Sequence, residues 1–198
     1  MTQHTRRVIA NTSLSLDGRI NGRGGDYDMG WIAPHAVSDA PRDLMARFAD
    51  SATTALLGRK NYEGFGGYWP GVAEDEDAEP RDRAFAQWLD TVEKVVFTRT
   101  LTQVTWRNSR IATDPAEEVR RLRHQPGGDI VVLNSRSVIS ALLDAGEVDR
   151  LTVTLCPEVV GGGARFFDDT VPASSWSLTD LATTGTGAIC LTYDKVRA

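Results

Sequence analysis

Three apolar runs in this sequence stop in the same manner. TALL (54–57) discharges into Gly58-Arg59-Lys60-Asn61, KVVF (94–97) into Thr98-Arg99-Thr100, and DIVVL (129–133) into Asn134-Ser135-Arg136-Ser137. Small and hydroxylated residues let a backbone approach a ligand, and arginine offers a planar fork of donors that matches phosphate oxygens. Where a strand end of this kind passes into a helix, the first turn adds unpaired N–H groups and the positive end of a dipole. Each stretch taken alone also reads as an ordinary capped turn with solvated charges. Together they predict a crevice for a multiply phosphorylated ligand, a nucleotide or dinucleotide. Neither GxGxxG after the first strand nor GxxxxGK[ST] occurs, so the usual dinucleotide fold and the P-loop are not indicated.

The elements that must position these ends are read from hydrophobic period. Strand-like runs rich in Val, Ile and Thr lie at 8–14, 54–57, 94–98, 129–133, 150–160 and 188–196. Helical stretches fall between them. PRDLMARFAD (41–50) puts Leu44, Met45 and Phe48 on one face, and PAEEVRRLRH (115–124) follows Asp114 as N-cap, with Pro115 first and Glu117 three after the cap. SVISALLDAG (137–146) turns Val138, Ile139, Leu142 and Leu143 inward and stops at Gly146. Strands alternating with helices, then two long closing strands, predict an α/β fold: a mixed, mostly parallel central sheet flanked by helices, with antiparallel strands near the C-terminus. One domain over 1–198 is expected. The charge-rich 71–84 segment reads as a surface loop leading into a helix. Gly161-Gly162-Gly163 reads as a turn or bulge, with Phe166 and Phe167 returning to the core.

Composition narrows the function. The net charge is 22 − 27 = −5, which gives no large basic face for nucleic acid. Cys156 and Cys190 lie inside apolar runs and are expected as buried, reduced thiols. His35 falls in a loop-like stretch, and three scattered histidines offer no metal-ligand set. MTQHTRRVIA has no apolar leader core, and no run approaches the ~20 apolar residues of a membrane span. A cytoplasmic protein without membrane partners is expected.

Taken in order, SLSLDGRING (13–22), ALLGRKNYEGFGGYWP (55–70), KVVFTRTL (94–101), the W-x-N-S pattern at Trp106–Ser109 and GGDIVVLNSRSVISALLDAGEVDRLTVTLCPEVVGGGARFF (127–167) resemble the dihydrofolate-reductase-like family. The likeness points to stand-alone bacterial proteins related to the C-terminal reductase domain of riboflavin biosynthesis. It implies NADPH as cofactor and a homodimer. It places Gly58, Arg59, Lys60 and Asn61 at the cofactor phosphates, Asn61 standing where Thr is common. Thr98 and Arg99 match a pair that grips the 2′-phosphate. Ser13 and Ile20 would face the nicotinamide carboxamide, Trp31 would lie beside the cofactor, and Asn134, Ser135, Arg136, Ser137 and Val138 would border the pyrophosphate. Asn134 replaces a glycine there, and Arg136 is either a new phosphate contact or a solvated helix-start residue.

The resemblance further implies hydride transfer to a small, pterin- or pyrimidine-like heterocycle, with a proton supplied to the heteroatom. Asp43, on the first helix, and Asp17, in the S-x-D-G motif, are the carboxylates proposed for that site, with Asp28 a third. Asp43 also suits a helix dipole and Asp17-Gly18 a plain turn. Leu133 would wall the substrate pocket, and Tyr62, Tyr68 and Trp69 either wall it too or serve as core or interface packing. Leu133 stands where riboflavin reductases typically carry Glu, which argues against the riboflavin intermediate as substrate. The alternative is a cofactor-binding protein of the same fold with little catalysis.

Overall fold

The computed structural model describes residues 6–197; the first five residues, part of the stretch read as lacking an apolar leader, lie outside it. Among the described residues the strands are β1 (Val8–Ser15), β2 (Ala52–Gly58), β3 (Glu93–Phe97), β4 (Ser109–Ala112), β5 (Asp129–Leu133), β6 (Arg150–Cys156), β7 (Trp176–Thr183) and β8 (Ile189–Lys195). The helices are α1 (Ala33–Ala36), α2 (Asp39–Ser51), α3 (Arg59–Glu74), α4 (Pro80–Thr91), α5 (Pro115–Arg123) and α6 (Arg136–Asp144). One eight-stranded sheet has the order β4-β3-β2-β5-β1-β6-β8-β7. Its first six strands pair in parallel, whereas β8 runs antiparallel to both β6 and β7. This is the predicted α/β architecture.

The parallel strands are covered on both faces, and their period of two divides the core. Val8, Ala10, Leu56, Val95, Ile130 and Val132 face α5 and α6, packing with Val119, Leu122, Ile139 and Leu142. Ile9, Ala55, Leu57, Val96, Val131 and Leu133 face α2 and α4, packing with Leu44, Phe48, Phe85 and Leu89. Continuous apolar strands are what a doubly covered parallel sheet requires. Asp114 accepts the Glu117 N–H at 2.9 Å, as its spacing predicted. Gly146 closes α6 with φ +71°, a conformation that favours glycine.

Four local expectations are corrected. The strand expected to reach residue 160 stops at Cys156, before Pro157, which has no N–H for a ladder. The loop expected at 71–84 shrinks: 71–74 are the last turn of α3, and α4 starts at Pro80 with the Glu79 carboxylate accepting the Arg81 and Asp82 N–H groups. Phe166 is buried, but Phe167 is largely exposed. His35 lies within α1, buried, with its ring on Thr186 Oγ1 at 2.9 Å. The edge strands β4 and β7 had no predicted counterpart, since neither carries a run of buried side chains.

Candidate active site

The chain runs from β1 out to β2, β3 and β4, then inserts β5 between β1 and β2. That reversal opens a crevice at the carboxyl ends of the strands, where open α/β sheets bind ligands. A cavity of about 930 Å³ lies there, and the ends of β1, β2, β3 and β5 all line it.

Ser135 organises the centre of this rim. Its hydroxyl accepts the Gly58 N–H at 2.8 Å and donates to the Leu133 carbonyl at 3.0 Å, stitching the end of β2 to that of β5. It therefore does not cap α6, and Gly58 has no side chain with which to cap α3. Both helices consequently present uncapped first-turn N–H groups at the cavity, an arrangement suited to phosphate. The α5 N-terminus differs, because Asp114 already occupies it. Asn134 adopts φ +50°, in the left-handed region that Asn tolerates better than most residues, and its N–H donates to the Asn11 carbonyl at 2.9 Å.

Four cations line the rim. Arg59 pairs with Glu63 at 2.8 Å, Lys60 with Asp26, and Arg136 with Asp168 at 2.7 Å. These pairs are solvent-accessible, and such pairs contribute little, so a phosphate can take over the cation. Arg99 pairs with no carboxylate among the described residues. The Thr98 hydroxyl accepts the N–H groups of Thr100 and Leu101 at 3.1 and 3.0 Å, which fixes the turn carrying Arg99.

The other half of the cavity is walled by helices. Ile32, Ala33, Ala36, Val37, Pro41 and Met45 line it from η1 (Gly30–Ile32), α1, α2 and the segment between α1 and α2, and Phe65, Trp69 and Phe85 from α3 and α4. The Trp69 ring meets Phe85 edge-on at 4.9 Å and Phe65 at 6.3 Å. Within this apolar wall lies one charged pair. Arg42 Nε donates to both Asp82 oxygens at 3.0 Å and Nη2 to Oδ2 at 2.8 Å. The Asp82 carboxylate raises the Arg42 pKa further above its ordinary value.

The structure thus brings Ser13, Ile20, Gly58, Arg59, Lys60, Asn61, Tyr68, Trp69, Thr98, Arg99, Leu133, Asn134, Ser135, Arg136, Ser137 and Val138 to one cavity. Other predicted residues lie elsewhere. Asp43 turns outward and takes Arg81 Nη1 at 2.7 Å; Arg81 also holds Asp39 and Glu79. Successive helical residues are 100° apart at 3.6 per turn, so Arg42 rather than Asp43 meets the cavity. Asp17 is a structural clamp. It accepts from the Ser15 hydroxyl at 2.7 Å and from the Val160 and Gly161 N–H groups at 3.1 and 3.0 Å. The Ser15 hydroxyl first, then the two N–H groups, hold its pKa down to about 2 against the opposing pull of desolvation. The Tyr62 hydroxyl accepts the Thr105 and Trp106 N–H groups, both at 2.9 Å, and is buried away from the cavity. Trp31 and Asp28 do not line it either; Asp28 accepts the Gly24 N–H at 2.9 Å.

The glycine run has a positioning role. Gly163 has φ +83°, and a Cβ there would lie 2.0 Å from the Asn21 carbonyl oxygen. Only glycine lets this segment close on the loop after β1, where Ile20 N–H bonds Ala164 and Asn21 Oδ1 accepts the Ala164 N–H at 2.7 Å. Ile20, Asn21 and Ala164 thereby become cavity wall. Arg42, Asp82 and Phe65 were not picked out from the sequence, and Met45 was read only as part of an apolar helix face. A usable signal existed in the i, i+3 spacing of Arg42 with Met45 and of Asp82 with Phe85, which sets each pair on one helix face.

With this geometry in hand, likeness to known proteins can be placed on it. The chain is similar to the uncharacterised YyaP protein of Bacillus subtilis strain 168, 29% identical over 188 residues, covering 95% of this chain and 94% of that one. A crystal structure of a protein provisionally named for riboflavin biosynthesis, from Shewanella sp. PV-4, superposes with a TM-score of 0.71 at 18% identity, covering 96% of this chain and 99% of that one. Dihydrofolate reductase from Enterococcus faecalis, solved with NADP(H) and RAB-propyl, gives a TM-score of 0.61 at 18% identity, over 96% of this chain and 97% of that one. These superpositions establish a dihydrofolate-reductase-like fold. The model of the RibD C-terminal domain matches residues 6–190, and the chain belongs to that family.

Proposed function

We propose that this protein is an NADPH-dependent reductase that transfers a hydride to a small, planar, pterin- or pyrimidine-like heterocycle. The observation that carries the proposal is the two-part cavity. Cationic strand ends and two uncapped helix N-termini form one half, and an aromatic and aliphatic wall forms the other. The residues present suit the cofactor. Gly58 to Asn61 and Asn134 to Val138 would hold its pyrophosphate, and Thr98 with Arg99 the 2′-phosphate. When bound, NADPH supplies the hydride. The chain's own residues bind, orient and exclude water: Ser13, Ile20 and Asn21 border the junction of the two halves, and Trp69 and Phe65 offer half-buried aromatic surface. Membership of the RibD C-terminal family and the NADP(H) in the Enterococcus faecalis neighbour support the reading.

Fluorescence titration with NADPH tests it directly: saturable binding together with substrate-dependent NADPH oxidation is expected, and no binding overturns it. A second reading, cofactor binding with little catalysis, is favoured by one observation. The carboxylates lining the cavity among the described residues, Asp26 and Asp82, are both tied to cations. Tight NADPH binding without turnover on any lactam heterocycle would select it. The riboflavin-pathway pyrimidine reductase is disfavoured by Leu133, which is fully buried at the cavity wall and offers no hydrogen bond. A homodimer and a cytoplasmic setting belong to the same proposal; sedimentation tests the former.

A further inference from the structure

The pair Arg42–Asp82 has no evident need to touch the cavity. Other cations of the α2–α4 junction point outward; Arg81, for instance, serves Asp39, Asp43 and Glu79 at the surface. Arg42 and Asp82 instead interrupt an apolar wall, at side-chain exposures of 19% and 25%. Placing charges in such a wall costs desolvation, and an aliphatic pair would pack there without that cost. The pair also has unused capacity. Arg42 bonds Asp82 through Nε and Nη2 alone, and Nη1 has no hydrogen-bond partner among the described residues. A carboxylate carries about four lone-pair sites, and among the described residues Asp82 Oδ1 accepts only from Arg42 Nε. The pair therefore keeps a free donor, on the guanidinium edge away from Asp82, and free acceptor positions on the carboxylate.

We infer that Arg42 and Asp82 read the lactam groups of the substrate ring, Arg42 donating to a ring carbonyl and Asp82 accepting from a ring N–H. This deepens the reductase reading and rests on it for the identity of the ring as hydride acceptor. Three observations select a neutral lactam over an anion. Asp82 already balances Arg42. Across the junction, two guanidiniums (Arg42, Arg81) face four carboxylates (Asp39, Asp43, Glu79, Asp82), so the surroundings repel negative charge. The apolar wall around the pair, with Trp69 and Phe65 half-buried in it, would strip water from a charged ring at a cost that a neutral one does not meet. The two residues are thus specificity determinants; no proton transfer is assigned to them.

The test uses lumazine, a fluorescent pteridine dione with lactam edges, and its doubly N-methylated derivative, which keeps the carbonyls and ring but lacks the ring N–H donors. Each is titrated into the full-length protein without cofactor and again with saturating NADPH. The wild-type protein is expected to bind lumazine about tenfold more tightly than the methylated compound, the effect of one hydrogen bond to a charged partner. In the double variant Arg42→Met/Asp82→Leu, which leaves no orphaned charge, that preference is expected to vanish while NADPH affinity stays within about twofold. Circular dichroism melts check its folding; should it not fold, Arg42→Lys, which keeps the charge but loses the planar fork, is expected to lower the preference. Equal binding of the two ligands by the wild-type protein, binding of neither, or a preference that survives the double variant would overturn the inference. Failure of NADPH to bind while the lumazine preference persists would instead sink the reductase reading alone.

Discussion

Arg99→Met separates the cofactor reading from a generic anion site. Arg99 sits on a turn fixed by Thr98 and pairs with no carboxylate among the described residues, so a phosphate reaching it displaces nothing. A hydrogen bond to an ionised partner contributes about 1.5–3 kcal/mol. The turn is exposed, and salt screening holds the value near the lower limit, about 1.5 kcal/mol or roughly tenfold in Kd. Arg136 is different, because binding there must first release Asp168 at 2.7 Å, and the net gain is correspondingly smaller. Paired fluorescence titrations with NADPH and NADH at fixed ionic strength read the difference. Arg99→Met should weaken NADPH about tenfold, leave NADH within about twofold, and flatten the salt dependence of NADPH binding. The reasoning is refuted if both cofactors weaken equally, if neither does, or if Arg136→Met proves the more damaging of the two.

Three further outcomes follow from individual side chains. Asn134→Val should lower stability by about 1–2 kcal/mol in urea unfolding, because a β-branched residue strains at positive φ. Asp43→Asn should leave NADPH oxidation within about twofold, since its carboxylate binds Arg81 outside the cavity; a loss approaching the 10²–10⁴-fold typical of a general acid would restore it to the chemistry. Lys94 is fully buried, and desolvation pushes its pKa down to about 8 from 10.5. Between those values the unfolded chain holds a proton that the folded one has lost. Unfolding then takes up a proton, so stability should rise with pH across that window in the wild type and not in Lys94→Met, as read by urea midpoints.

What could be read ahead of the structure was local. An apolar run followed by small and cationic residues specifies a strand end without reference to anything distant, and so the cationic rim was legible. Asp114 and Gly146 were legible for the same reason, since caps act over three or four residues. The helix-walled half of the cavity was not. Arg42 and Asp82 are 40 residues apart, and nothing in either helix alone says that the other will pack against it. The choice of Asp43 shows how small the margin is: an offset of one residue rotates a side chain about 100° around the helix and moves it from cavity to solvent. Tyr62 failed for another reason, because an aromatic near a pocket can equally spend its hydroxyl on backbone, as it does on Thr105 and Trp106. The strand β7 escaped notice because most of its side chains are exposed and leave no apolar alternation to detect.

This division has a consequence for how the site can vary. The rim is held by bonds between strand ends, Ser135 to Gly58 and Asn134 to Asn11, which do not pass through α2 or α4. The polar wall is held by Arg42 and Asp82 across the α2–α4 contact, which rests on one face of the sheet through Leu44, Phe48, Phe85 and Leu89. Substitutions at the helix junction can therefore change which ring edge is accepted while the strand ends keep their geometry. Effects of distant, unconnected sites usually add. Combining Arg99→Met with Arg42→Met/Asp82→Leu should accordingly give losses in NADPH affinity and in lumazine preference that match the separate variants. A departure well beyond about 0.5 kcal/mol would mean that the two halves are mechanically coupled after all.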